Sequence, residues 1–147
     1  MSSEAPSYPP NHPMNLAFLM HIASEIPLGI QGLLGVGLPF IEMTNTTVVV
    51  LKLYGALIIG SCIAALAVFG LPDLHPGKRA VVIMLVVYHM ITSTVLIQAP
   101  RFIPLSMGSL AESFKFTPEV AWGSVHGLLS LAFVSWWQMT LLPVGRA

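Results

Sequence analysis

The chain has 147 residues, of which 55% are hydrophobic and only 8% charged, and its formal net charge is zero. Soluble domains carry roughly 25% charged residues, so this composition excludes a chain that turns most of its surface to water. Neutrality leaves no basic field for nucleic acid, and the single cysteine excludes an internal disulfide framework and a thiolate zinc site.

Residues 1–13 are polar, rich in Pro and Ser, and lack Lys and Arg. They read as a mobile tail without the basic n-region of a signal peptide, so the first apolar stretch reads as a retained helix. Four apolar runs follow, at 14–41, 48–70, 80–98 and 119–142. Each is long enough to cross about 30 Å of hydrocarbon, which takes roughly 20 residues. Cys62 lies in the second run and reads as a small packing residue. Residues 71–79 (LPDLHPGKR) break the second run from the third with two prolines and a glycine. Asp73 and His75 in that break are two ligand types without a third, so no metal site of convincing spacing emerges and a solvated turn is the simpler reading.

The connection at 100–118 is the longest. Ser109, Leu110, Ala111 and Glu112 fit a capping box, and Leu110, Phe114 and Phe116 would let a short interfacial helix lie over the mouth of the bundle as a lid; a plain connector is the alternative. The fourth run opens with Thr117, Pro118 and Glu119, an N-cap, an N1 proline and a first-turn acid.

Short connections make successive helices antiparallel neighbours. The expected fold is therefore all-α: one integral membrane domain over 14–147, a four-helix up-down-up-down bundle. Both ends then share a side with Lys78, Arg79 and Arg146, which favour that side as cytoplasmic. Lys52, Arg101 and Lys115 lie towards the opposite side, so the bias is nearly nil. Asn45, Thr46 and Thr47 form a glycosylation sequon very close to the second run. Trp136 and Trp137 read as interface anchors, where the last helix leaves the membrane.

Ionisable groups within a membrane cost roughly 2.5–3.5 kcal/mol each on insertion scales, which makes them the most informative residues. At helical rise, Glu25 lies about 16 Å and His89 about 15 Å from the tail side. His126, on a helix entering from the far side, lies about 18 Å from the tail side. Three titratable groups from three helices thus converge near the midplane. Glu25, His89 and His126 are the expected catalytic residues, because a buried carboxyl group must find a cation or carry a proton, and a neutral histidine accepts one. His21, one turn from Glu25, joins Tyr54, Tyr88, Trp122 and Ser130 as the expected substrate contacts. Pro27 removes a backbone donor next to Glu25 and makes room for ligand or water. For a lone membrane histidine the plainer role is an interhelical hydrogen bond of about 0.6 kcal/mol; the buried acid tips the balance to function.

Such groups supply acid–base chemistry with no cofactor and no metal. Epoxide opening fits them, since an acid protonates the leaving oxygen while a base activates water or an internal hydroxyl; alkene isomerisation needs similar groups. The stretch Leu51, Lys52, Leu53, Tyr54, Gly55, Ala56, Leu57 resembles the basic–Leu–Tyr–Gly segment of small DoxX-like four-helix membrane proteins. Chain length and helix spacing are also similar to membrane proteins of fungal polyketide and meroterpenoid pathways. That resemblance implies epoxide hydrolysis or cyclisation in a multi-pass protein of the endoplasmic reticulum, if the source is eukaryotic. It implies no particular catalytic residue. Expected partners are a lipophilic small molecule, the bilayer, and a second copy or other biosynthetic enzymes. Two alternatives stay open: a membrane scaffold for biosynthetic enzymes, and a proton-coupled multidrug-type exporter whose first-helix glutamate is Glu25. A polar-lined cavity at the midplane favours the enzyme; solid packing there favours the scaffold.

Overall fold

The computed structural model describes residues 12–36 and 42–141. Most of the expected tail, residues 37–41 of the first apolar run, and the last residues with Arg146 lie outside this range. Among the described residues the chain is all-helical. A single 3-10 turn at Pro13–Asn15 leads into α1 (Leu16–Leu34), followed by α2 (Asn45–Phe69), α3 (Pro76–Gln98), the short α4 (Ser109–Ser113) and α5 (Pro118–Met139).

Local chemistry sets the boundaries. The first helix stops at Leu34 because Gly35 takes the left-handed conformation, φ 64°. The Gly35 and Val36 N–H groups then return to the Gly32 and Gln31 carbonyls, the glycine-based stop that leaves the last carbonyls satisfied. α2 opens with the Thr44 hydroxyl accepting the Thr47 N–H at 3.1 Å. α3 begins four residues earlier than residue 80: Pro76 is an N1 proline, and His75 Nδ1 accepts the Gly77 N–H at 3.1 Å. The capping box at Ser109 does not form. Gly108, at φ 94°, holds the cap position instead, and Glu112 accepts a hydrogen bond from the Ser106 hydroxyl at 2.8 Å. Thr117 caps α5 as its sequence suggests, accepting the Val120 N–H.

α1 packs along α2 and α3 along α5, and lesser α2–α3 and α1–α5 contacts join the two pairs. Glycines let the backbones touch. A Cβ on Gly55 would stand 2.7 Å from the Gly29 carbonyl oxygen and the Leu33 nitrogen, and one on Gly32 would stand 2.7 Å from the Leu51 carbonyl oxygen. Close approach over small residues is how helices gain dispersion contacts when lipid supplies no hydrophobic drive.

The apolar core is modest, built on Phe18, Ala65, Val82, Leu85, Phe133 and Trp136. Trp136 is fully buried rather than an interface anchor; its ring packs edge-on to Phe18 and its indole N–H donates to Asn15 Oδ1 at 2.6 Å. Beside it Lys78, also fully buried, donates to the carbonyls of Phe69, the last residue of α2, and Leu71, and to Asp73 at 2.8 Å. Asp73 further accepts from the His12 backbone N–H and the Asn15 side chain. Burial by itself would raise the Asp73 carboxyl, but the Lys78 hydrogen bond and charge, with the His12 and Asn15 donors, outweigh it and hold it below its ordinary value. Within the 71–79 break Asp73 and Lys78 thus form an ionic anchor, while His75 stays exposed.

Three helical stretches, Pro13–Leu34, Asn45–Phe69 and Pro76–Gln98, are long and apolar enough to cross a membrane. α5, at 22 residues, is as long as the shortest of them but carries Glu119, Ser124, His126 and Ser130. The burial pattern is inverted relative to a soluble protein: leucines, isoleucines and valines such as Leu57, Ile63, Leu66, Ile91, Val95, Leu128 and Leu131 are exposed, while His21, Glu25, His89 and His126 are buried.

Candidate functional site

The cluster is assembled by helix periodicity. His21 and Glu25 sit one turn apart on α1, Tyr88 and His89 adjoin on α3, and His126 comes from α5; His21, Glu25 and His89 are fully buried and His126 is 1% exposed. The structure brings Glu25, His89 and His126 into direct contact. His89 Nδ1 is 2.8 Å from His126 Nδ1, and His126 Nδ1 is 3.5 Å from Glu25 Oε1. His21 Nδ1 is 3.0 Å from His89 Nε2. The expected midplane gap is filled by these rings, with Phe133 stacked on His89.

The direction of each hydrogen bond follows from donor counting. The Ser61 hydroxyl donates its only hydrogen to the Ile58 carbonyl at 2.7 Å. Its contact with His21 Nε2 at 3.2 Å therefore requires His21 to donate. In a chain of neutral rings, His21 Nδ1 then accepts from His89 Nε2, and His89 Nδ1 accepts from His126 Nδ1. The chain ends with a bare lone pair on His126 Nε2, which is buried and has no hydrogen-bond partner; Glu25 Oε1 is likewise buried and unpartnered. On the other side of the carboxyl group, Tyr88 donates to Glu25 Oε2 at 3.1 Å, so Tyr54, whose hydroxyl is 3.3 Å away, donates to Tyr88.

Of the expected contacts, His21, Tyr88 and Tyr54 belong to this network. Trp122 touches it through an edge-on ring contact with His126, centroids 5.4 Å apart. Ser130 does not join: its hydroxyl is spent on the Val86 carbonyl at 3.2 Å, a tie between α3 and α5. Two residues were missed by sequence reasoning. Ser61 fixes the His21 tautomer, and Cys62 places its sulfur 3.9 Å from His21 Nε2. Both lie in the apolar middle of α2, where only their place on the helix face towards α1 distinguishes them. Ligand-type atoms of His21, Glu25 and His89 all lie within 4.8 Å of one another, a grouping invisible along the chain because its members come from two helices.

An open cleft of about 410 Å³ lies outside the cluster, lined by Leu105, Ser106, Met107, Pro118, Ala121, Trp122 and Val125. Trp122 lines the cleft and also rests against His126. Glu119 ties the preceding loop to α5, its Oε1 accepting the Phe102 and Ile103 N–H groups at 2.8 and 2.6 Å. No protein-family model matches this chain, and comparison with curated proteins and with solved structures finds no match either.

Proposed function

We propose that α5 is a fourth membrane span, that the protein is a four-helix membrane bundle, and that it is a membrane-embedded enzyme acting on a lipophilic substrate by acid–base chemistry. The observation that carries this reading is that two of the four buried side-chain atoms without a hydrogen-bond partner among the described residues, His126 Nε2 and Glu25 Oε1, fall on contacting residues of one cluster. A cluster kept only for packing satisfies its polar atoms, because each orphan costs about 1–3 kcal/mol. A base and an acid that each keep a free atom, on residues in contact, are what proton transfer needs.

Epoxide opening is the reaction proposed. The Glu25 carboxyl group gives its proton to the epoxide oxygen as the C–O bond breaks. Water, or a hydroxyl of the substrate, attacks the carbon and yields its proton to His126 Nε2. The product is a diol or a cyclic ether, and the proton gained at His126 Nε2 then passes through solvent to the Glu25 carboxylate, which restores both groups. The apolar cleft suits the body of the substrate, with Trp122 as the partition that must shift for the reacting end to meet His126. The resemblance of residues 51–57 to DoxX-like proteins points the same way, and the proposal extends to an endoplasmic-reticulum location if the source is eukaryotic.

The scaffold reading draws on the direct packing of the rings. One experiment separates them: incubate the purified chain in lipid nanodiscs with an epoxidised polyene and follow diol or cyclic ether by mass spectrometry. Glu25→Gln keeps the shape but has no acidic proton, so turnover falls by about 10²–10⁴-fold with insertion unchanged. A product profile unaltered by Glu25→Gln at equal expression overturns the enzyme; a partner enzyme captured equally by both forms would then support the scaffold.

A further inference from the structure

The cluster also has the composition of a metal centre. We infer that His21, His89 and Glu25 bind one divalent first-row transition ion of the Zn²⁺ class, through His21 Nδ1, His89 Nε2 and the Glu25 carboxylate.

Geometry comes first. The candidate ligand atoms lie within 4.8 Å of one another, and the two imidazole nitrogens are 3.0 Å apart. Two ligands at 2.0–2.1 Å on a tetrahedral ion stand about 3.4 Å apart, so the histidines need to part by only a few tenths of an ångström. Charge is the second argument. Glu25 is fully buried, and the buried lysine of the described residues, Lys78, is engaged with Asp73. A divalent ion gives the carboxylate the cation it lacks and occupies the unpartnered Oε1.

The third argument concerns the outer partners. A ligating histidine donates its other ring N–H to a fixed acceptor, which sets the tautomer and the ring orientation. His21 Nε2 meets the Ser61 hydroxyl oxygen, whose own hydrogen is already committed to Ile58. His89 Nδ1 meets His126 Nδ1 at 2.8 Å, so releasing the His89 Nε2 lone pair to the ion moves the shared hydrogen onto His89. His126 then accepts at Nδ1 and carries its hydrogen on Nε2. The second Glu25 oxygen is held by Tyr88. Every ligand thus has a partner for its non-ligating atom. Two histidines and one carboxylate leave a coordination position open, as catalytic rather than structural sites do.

The inference does not need the epoxide reaction, and it gives Glu25 a different task, that of ligand. The test uses the full chain, purified in detergent with a histidine-free affinity tag, stripped with chelator and titrated with Co²⁺ and Zn²⁺. One ion per chain by elemental analysis, with Co²⁺ ligand-field bands, is expected. His21→Ala and His89→Ala should each abolish the bands, Ser61→Ala should weaken binding about 10–100-fold, and His75→Ala should change nothing. Helix content and elution volume certify that each variant is folded, and His21→Asn and His89→Gln provide better-packed replacements. Folded wild type that binds less than a tenth of an equivalent overturns the site, as does binding that survives both histidine variants. Stoichiometric metal with no epoxide turnover keeps this inference and removes the reaction proposed above; turnover by a chain that binds less than a tenth of an equivalent keeps the reaction and removes the site.

Discussion

At the ionic turn, Lys78 is wholly buried while Asp73 keeps partial access to solvent. Removing one partner of a fully buried pair costs about 3–5 kcal/mol, and the access left to Asp73 sets Asp73→Asn at or below the lower end. The expected outcome is a clear drop in Tm in detergent, read by the fluorescence of the nearby Trp136. The same pair carries a pH dependence. An unfolded carboxyl group of this type titrates near 3.8, and Asp73 in the fold lies lower. A depressed value means its stabilisation is complete above the unfolded value and disappears as pH falls through the folded one. Unfolding followed between pH 7 and pH 2 should show that loss at the acid end, and Asp73→Asn should flatten that part of the profile.

Helix contacts make a different demand. Gly55 faces backbone, not a flexible side chain, at 2.7 Å, so Gly55→Ala cannot be absorbed by a rotamer change. Pushing α1 from α2 costs about 1–3 kcal/mol, and it also draws Tyr54 and Ser61 away from the α1 side of the cluster. Thermal melting should report the first effect. The second should appear as weaker Co²⁺ binding or slower turnover than in a Gly60→Ala control, since a Cβ on Gly60 meets nothing within 4 Å. The cluster was legible in sequence to this degree: three polar residues at matched depth on three apolar helices converge if the helices are antiparallel, and Glu25, His89 and His126 do meet. What the chain hid was rotational. Ser130 shares a helix with His126 but spends its hydroxyl on α3 backbone, and Ser61 and Cys62 turn towards His21; a helix known only by length has no fixed azimuth. Helix ends were hidden where glycine chose them, at Gly35 and Gly108, because a left-handed residue overrides an apolar run or a capping pattern.

For the whole molecule, the exposed leucines, isoleucines and valines, with His21, Glu25, His89 and His126 buried inside, suit a lipid surrounding. The chain should remain in the membrane fraction after alkaline carbonate extraction. If α5 crosses along with the three more apolar helices, an even number of spans puts both ends on one side. Protease protection of tags at residues 1 and 147 should then show the same accessibility for both; opposite accessibility would leave α5 outside the bilayer. Composition pointed to a membrane from the outset, whereas α5 is the helix that composition describes least well, since the groups that give it a place in the cluster are also those that lower its hydropathy.

The row from Ser61 through His21 and His89 to His126 has a direction, because each ring passes on the polarity of its neighbour. Its anchor is the hydrogen bond from Ser61 to Ile58, on a helix that contributes no titratable group to the row beyond Cys62. A hydroxyl on α2 thereby dictates which nitrogen of a ring on α5 is bare. The row works like a line of dominoes set to fall one way: freeing the Ser61 hydrogen to point at His21 would reverse every ring and put the hydrogen on His126 Nε2. Ser61→Ala releases that anchor, and ¹⁵N shifts of the three imidazoles should pass from one tautomer pattern to a mixture, with His126, the most distant ring, responding as fully as His21.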